Sequence, residues 1–239
     1  MLIKTSAFIL SILKYNEADA IIKTYTRETG FTTFFVKGLY KNGKNKIKKA
    51  YLQPAAIVDL VITQRNKEGM EYIKEISPAY HYKNIFTDFD KLNISTFLRE
   101  ILLSILSQEP QNPELFDFII EEFKKLDQEK FNINFHLYFL IKILAEMGIS
   151  PDINTKGKYF DLQEGVFTHS PISIELCMNE EQSHIFKQLL GTIFAYKKEI
   201  QLNNLQRKRI LEDLLKYFEI HFTHFKSPKS LQILGSLYS

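Results

Sequence analysis

The chain has 239 residues, 45% of them hydrophobic, with 20 Phe, 12 Tyr, no Trp and a formal charge of +3. That content suits one large or two ordinary globular domains whose cores are filled largely by aromatic rings. The single Cys177 excludes an internal disulfide and a cysteine-based metal site, which fits a reducing compartment. No run approaches the roughly 18 apolar residues of a membrane span, and Met1–Leu13 carries no cleavage-site pattern, so no leader is expected.

The first 77 residues read as strands. Ile3–Leu13 mixes β-branched, Phe and Ser positions, and Asn16–Asp19 turns the chain into Ala20–Thr26. A polar turn ending in Gly30, a residue suited to positive φ, leads into Phe31–Val36. Pro54–Thr63 alternates, with Ala56, Val58, Leu60 and Ile62 on one face and Ala55, Ile57, Asp59 and Val61 on the other. Gln64–Gly69 is a turn, and Met70–Ile76 is a last strand before Ser77-Pro78. Five short strands in this span predict a small barrel, an OB-fold in the first instance and an SH3-like barrel as the alternative.

Beyond residue 80 the period becomes helical. The expected helices are Asp88–Leu106 with Asp88 as N-cap, Leu115–Leu126, Asn132–Met147 stopped by Gly148, Glu180–Phe194, Asn203–Phe222 and a short piece within Lys229–Leu237. Residues 151–171 read as an irregular insert with one strand-like piece at Tyr159–Leu162. The expected organisation is a β plus α multidomain chain: a five-stranded barrel at 1–80, then an all-α domain at 81–239.

Between Lys37 and Lys49 stand six lysines (37, 41, 44, 46, 48 and 49) and no acid. Two glycines and two asparagines make this a flexible basic loop, and Tyr40 lies within it. Residues 1–80 hold 13 Lys and Arg against 7 Asp and Glu, a net of +6, whereas residues 81–239 hold 18 against 21. Lysines that neutralise phosphates release counterions and give sequence-independent nucleic-acid binding; the alternative is a solvated loop. Phe31, Phe34, Phe35 and Tyr40 flank the lysines, and rings beside a basic groove are what single-strand binders stack bases on. Alternation turns at most one of Phe34 and Phe35 into the barrel, and Tyr40 is the better platform candidate.

Catalytic apparatus is sparse. No GxxxxGK[ST], HExxH, GxSxG or GxGxxG motif occurs. His221 and His224 stand at i, i+3, two ligands at most, beside Phe222 and Phe225, which suit packing better. Glu121-Glu122 and Glu180-Glu181 are adjacent on helices and do not face each other. Cys177 has no local base and reads as a buried, inert thiol. The chain is read as a non-enzyme without a cofactor.

Thr26–Gly30, Val36–Lys41, Leu52–Pro54, Leu144–Asp152, Tyr159–Phe167 and Lys226-Ser227 follow one another along the chain. Their order resembles that of the RecO family of bacterial recombination mediators. Thr26-Arg27-Glu28-Thr29-Gly30 resembles its T-R-E-x-G turn, and Val36-Lys37-Gly38-Leu39-Tyr40-Lys41 its basic A-R-G-x-R-K segment. Leu52-Gln53-Pro54, Leu144–Asp152, Tyr159–Phe167 and Lys226-Ser227 are similar to its L-Q-P, L-L-x-x-x-G-x-x-P-D, F-D-x-x-x-G-G-x and K-S segments. Many members hold zinc with two C-x-x-C pairs. Those places here are Asn154-Thr155-Lys156-Gly157 and Thr168-His169-Ser170, so no metal is expected and packing by Tyr159, Phe160 and Phe167 must hold the insert. The resemblance implies a cytoplasmic, nucleoid-associated DNA repair protein that binds single- and double-stranded DNA and anneals strands. It further implies help, with RecR, in loading RecA onto DNA coated by single-strand binding protein, whose C-terminal tail the helical domain receives. On that reading Arg27, Lys37, Tyr40, Lys41, Lys44, Lys46, Lys48 and Lys49 contact DNA, and Lys142 contacts the tail. A protein–protein adaptor built on the same barrel is the alternative, and a lysine loop does not by itself distinguish DNA from RNA.

Overall fold

A computed structural model of the chain describes residues 2–41, 47–63, 70–171, 173–194 and 200–234. They fall into two compact units, Met1–Lys130 and Phe131–Ser239.

The first unit opens with β1 (Leu2–Lys14), β2 (Ala20–Thr26), β3 (Gly30–Val36), β4 (Ile57–Thr63) and β5 (Tyr72–Pro78). They form one antiparallel sheet in the order β3-β2-β1-β4-β5. Alternation decides the faces: Ala20 and Ile22, Phe34 and Val36, and Val58, Leu60 and Ile62 share one core with Ala7, Ile9 and Ile73. Burying a ring such as Phe34 contributes about 1.5–3 kcal/mol. The two edge strands meet where Phe35 N–H donates to the Glu71 carbonyl and Glu71 N–H to that of Thr33, both at 3.0 Å. Phe34 and Glu71 thereby form a parallel bridge that makes the sheet a partly open five-stranded ring, the expected OB-type barrel.

Two helices belong to this unit, α1 (Phe89–Ile105) and α2 (Pro113–Gln128). Asp88 caps α1 by accepting the Asp90 and Lys91 N–H groups, and Asn112 caps α2 ahead of Pro113. A bulge at Leu10 in β1 frees its carbonyl for Arg99 Nη1 of α1, while the Phe8 ring lies 4.6 Å from that of Phe123 on α2. Buried Asp127 accepts the N–H groups of Lys83, Asn84 and Ile85 and the Tyr80 hydroxyl. Its burial favours the neutral acid, but these donors outweigh it and hold the carboxyl below its ordinary pKa. The change of period near residue 80 therefore marks where strands give way to helices. The division by packing falls later, at Lys130/Phe131, because α1 and α2 cover the outside of the barrel.

The second unit is built from α3 (Phe135–Glu146), α4 (Glu180–Phe194), α5 (Asn204–His221) and the short α6 (Leu231–Leu234). Gly148, at φ +74°, ends α3, and Ile149 N–H donates back to the Leu144 carbonyl at 2.8 Å. Asn203 and Gln206 form a capping box on α5. The insert is more regular than expected: β6 (Tyr159–Asp161) and β7 (Val166–Thr168) pair within it, and β8 (Cys177–Met178), just beyond it, completes a three-stranded sheet in the order β7-β6-β8. Strands of two or three residues are too short to show a period. Phe160 is fully buried, with ring centroids of Phe167, Phe186 and Tyr217 at 5.0, 4.8 and 6.0 Å. Tyr159, expected among these rings, is only partly buried and points its hydroxyl at Glu180.

Candidate nucleic-acid interface

The basic segment is anchored rather than loose at its first end. Asn16 Oδ1 accepts the N–H groups of Ala18 and Asp19, fixing the β1–β2 turn. Asp19 then accepts Gly38 N–H at 2.7 Å and Asn16 Nδ2 at 2.8 Å, and the Gly38 bond foremost holds its carboxyl below the ordinary value. Tyr40 N–H donates to the Ala18 carbonyl at 2.9 Å. Gly38 sits at φ +73°, so the chain reverses there and carries Lys37 and Lys41 on a defined turn. At the other end, Lys49–Tyr51 is a single 3-10 turn. Lys44 and Lys46 lie outside the described residues.

Tyr40 gathers the cations. Its partly buried ring packs on the barrel core beside Leu39 and Leu52, and the Nζ atoms of Lys49 and Lys14 lie 5.0 and 5.8 Å from its centroid. Lys48 Nζ lies 5.6 Å from the Tyr51 ring. Tyr40 is thus partly buried beneath converging ammonium groups rather than fully open. Lys14 was not apparent from sequence, although the reason it belongs is topological: β1 and β3 run parallel across β2, so their C-terminal ends share one end of the barrel.

Phe34 points into the core and Phe35 outward, as alternation requires. Phe35 meets Tyr15 and Tyr72 edge-on, at 5.6 and 6.4 Å between centroids. Neither tyrosine was singled out in the sequence.

Arg27 is placed elsewhere. It sits at the opposite end of β2 and β3 from Lys37, about 20 Å along a seven-residue strand. Its guanidinium makes a two-pronged pair with Asp117 of α2, both N–O distances being 2.9 Å. The hydrogen bond to Arg27 lowers the Asp117 pKa, and its reciprocal raises that of Arg27. Lys142 lies on α3, whose apolar residues from Leu137 to Leu144 are almost all core, leaving Lys142 partly exposed.

The other candidate chemistry resolves into packing. His221 Nε2 is 2.9 Å from the Leu162 carbonyl, and His224 lies beyond the end of α5 at Phe222, so the two do not share a helix face. Phe222 and Phe225 pack on Phe218. Cys177 is partly exposed rather than buried; partial desolvation and Asp161 nevertheless raise its thiol pKa, so it stays protonated near neutrality. The stretches around Asn154–Gly157 and Thr168–Ser170 come together: Thr155 Oγ1 accepts Phe167 N–H at 2.8 Å, and Lys158 N–H donates to Thr168 O at 3.0 Å. A hydrogen-bonded threonine, a lysine and a glycine are not a zinc donor set. Among the described residues no three His, Cys, Asp or Glu side chains are grouped to hold a metal.

Two family models match the chain: Recombination protein O N terminal over residues 1–82 and Recombination protein O C terminal over 87–231. The chain belongs to the RecO family. It is 35% identical over 239 residues to the DNA repair protein RecO of Christiangramia forsetii, and 32% over 240 residues to that of Flavobacterium psychrophilum. The RecO of Flavobacterium johnsoniae is 33% identical over 240 residues, and in all three pairs both chains are covered completely. Within this RecO-family chain the T-R-E-x-G-like turn has an architectural role. Gly30, at φ +68°, stands where a Cβ would come 2.5 Å from the Pro110 backbone, and Phe31 N–H and the Tyr25 hydroxyl bind the carbonyls of Glu109 and Pro110. The turn is docked on the α1–α2 connection, and Arg27 completes the joint.

Proposed function

We propose that this RecO-family chain binds DNA through the end of the barrel that carries Lys14, Lys37, Lys41, Lys48 and Lys49, and acts without catalysis as a recombination mediator. The observation that carries the reading is the convergence of Lys14 and Lys49 on the Tyr40 ring beside a segment free of acids. Ammonium groups held together this way neutralise consecutive phosphates and offset the repulsion between two strands brought close. Strand annealing follows from that chemistry and needs no nucleotide. The names of the full-length relatives favour DNA over RNA. The RecO resemblance extends the proposal to RecR, to the C-terminal tail of single-strand binding protein with Lys142 as one contact, and through them to RecA loading.

The test mixes complementary strands, bare and coated by the cognate single-strand binding protein, with purified protein and no nucleotide. Accelerated duplex formation on coated strands is expected. No acceleration on either substrate, with the protein folded, would overturn the mediator reading.

A further inference from the structure

We infer that Tyr15, Phe35 and Tyr72 form a platform on which unpaired bases stack, so that this end of the barrel prefers single strands. The inference rests on the DNA-binding reading above and assigns the bases, where the lysines account only for phosphates.

Tyr15 is 62% exposed and Tyr72 40%, yet the three rings are close together on the outside of the barrel. Their planes are nearly perpendicular, 85° for Tyr15 with Phe35 and 79° for Phe35 with Tyr72. An edge-to-face contact uses the edge of one ring and one face of the other. Tyr15 therefore keeps open ring surface despite its contact. Phe35 stands at the bridge between β3 and β5, where its N–H bonds Glu71, and its ring contacts Tyr72 of β5. A ring as exposed as Tyr15 adds little to that packing.

The charges around the rings are lysines on the side of β1 and the β3 end, with Glu71 partly buried next to Tyr72. Lys14 precedes Tyr15 in the chain and reaches the Tyr40 ring, and Lys37 follows Phe35 by two residues on the same face of the strand direction. The acid of the adjoining turn, Asp19, is turned inward onto Gly38 and Asn16. Glu17 is the remaining exposed carboxylate of that turn. In a duplex the base faces are covered by their neighbours, whereas unpaired bases expose both. Rings beside a phosphate-binding cluster thus discriminate by strandedness and tolerate any sequence. A base held by its face also keeps its pairing edge free, which is what an incoming complementary strand needs.

The experiment compares a fluorescent oligo(dT) with a blunt hairpin duplex, at one salt concentration, on wild type, Tyr15→Ala/Tyr72→Ala, Tyr15→Phe/Tyr72→Phe and Tyr15→Leu/Tyr72→Leu. The alanine and leucine pairs should weaken oligo(dT) binding by about 5- to 150-fold per base stack lost. Duplex affinity and the melting temperature should change little, and the phenylalanine pair should bind as wild type does. Equal losses on both substrates, no loss on either, or full affinity in the leucine pair would overturn the platform while leaving DNA binding itself intact. Loss of RecR capture with unchanged oligo(dT) affinity would assign the rings to a protein partner and overturn it equally. Wild-type protein that binds neither substrate would overturn the platform together with the reading beneath it.

Discussion

Replacing Lys14, Lys37, Lys48 and Lys49 together by Gln removes four positive charges from one end of the barrel and keeps most of each aliphatic stem. If all four meet phosphates of a single strand, the slope of log affinity against log salt should become shallower by about 2.8, at about 0.7 per lysine. Between 50 and 200 mM salt this amounts to roughly a 50-fold smaller loss of affinity than wild type shows. Loss of the ammonium contacts of Lys14 and Lys49 with Tyr40 should cost about 1–2 kcal/mol of stability, so thermal melting is followed alongside. Arg27→Gln is the internal control. Its charge is paired with Asp117 and lies at the other end of β3, so the slope should stay at the wild-type value. Fluorescence anisotropy titrations at four or five salt concentrations give the slopes. An unchanged slope in the folded quadruple variant, or an equal reduction by Arg27→Gln, would refute the assignment of the footprint.

Three further outcomes follow from the packing. Gly30→Ala should destabilise the protein by about 1–3 kcal/mol from backbone strain, and by more if the Pro110 backbone cannot yield, as chemical denaturation will measure. Burial, reinforced by Glu212 and opposed by Lys216, raises the Asp213 carboxyl to about 7. Between its unfolded value near 4 and about 7 the folded state binds more protons, so Asp213 lowers stability as pH rises. Asp213→Asn should therefore raise the melting temperature at pH 8 and leave it nearly unchanged at pH 4. Finally, a strong chelator should leave the melting temperature unaltered, whereas Phe160→Ala should cost about 3–5 kcal/mol, because buried rings pack the insert.

Much of the fold was legible because local chemistry and tertiary packing agree. The alternation of Val58, Leu60 and Ile62 against Asp59 and Val61 identified the buried face of β4, and Asp88, Asn203 and Gly148 marked helix ends with the residues that cap or stop them. The candidate site was legible only in its lysines. Tyr15 and Tyr72 are far apart in sequence and both meet Phe35, Tyr72 because the sheet curls until β3 touches the start of β5, which no local period encodes. Arg27 carried a family motif and a positive charge, and its partner Asp117 is supplied by a helix 90 residues later. Tyr40 looked open because it lies among lysines and glycines; Leu39 and Leu52 beside it fold inward and take it with them.

The central claim, that the lysine and aromatic end of the barrel is where nucleic acid binds, is tested most directly by mapping photocrosslinks from a single strand substituted with 5-iodouracil. Mass spectrometry of the digested adduct should place the crosslinks on Tyr15, Phe35 and Tyr72, and competition by unlabelled single strand should abolish them. Crosslinks confined to residues 131–239, or spread evenly over the surface, would contradict the account.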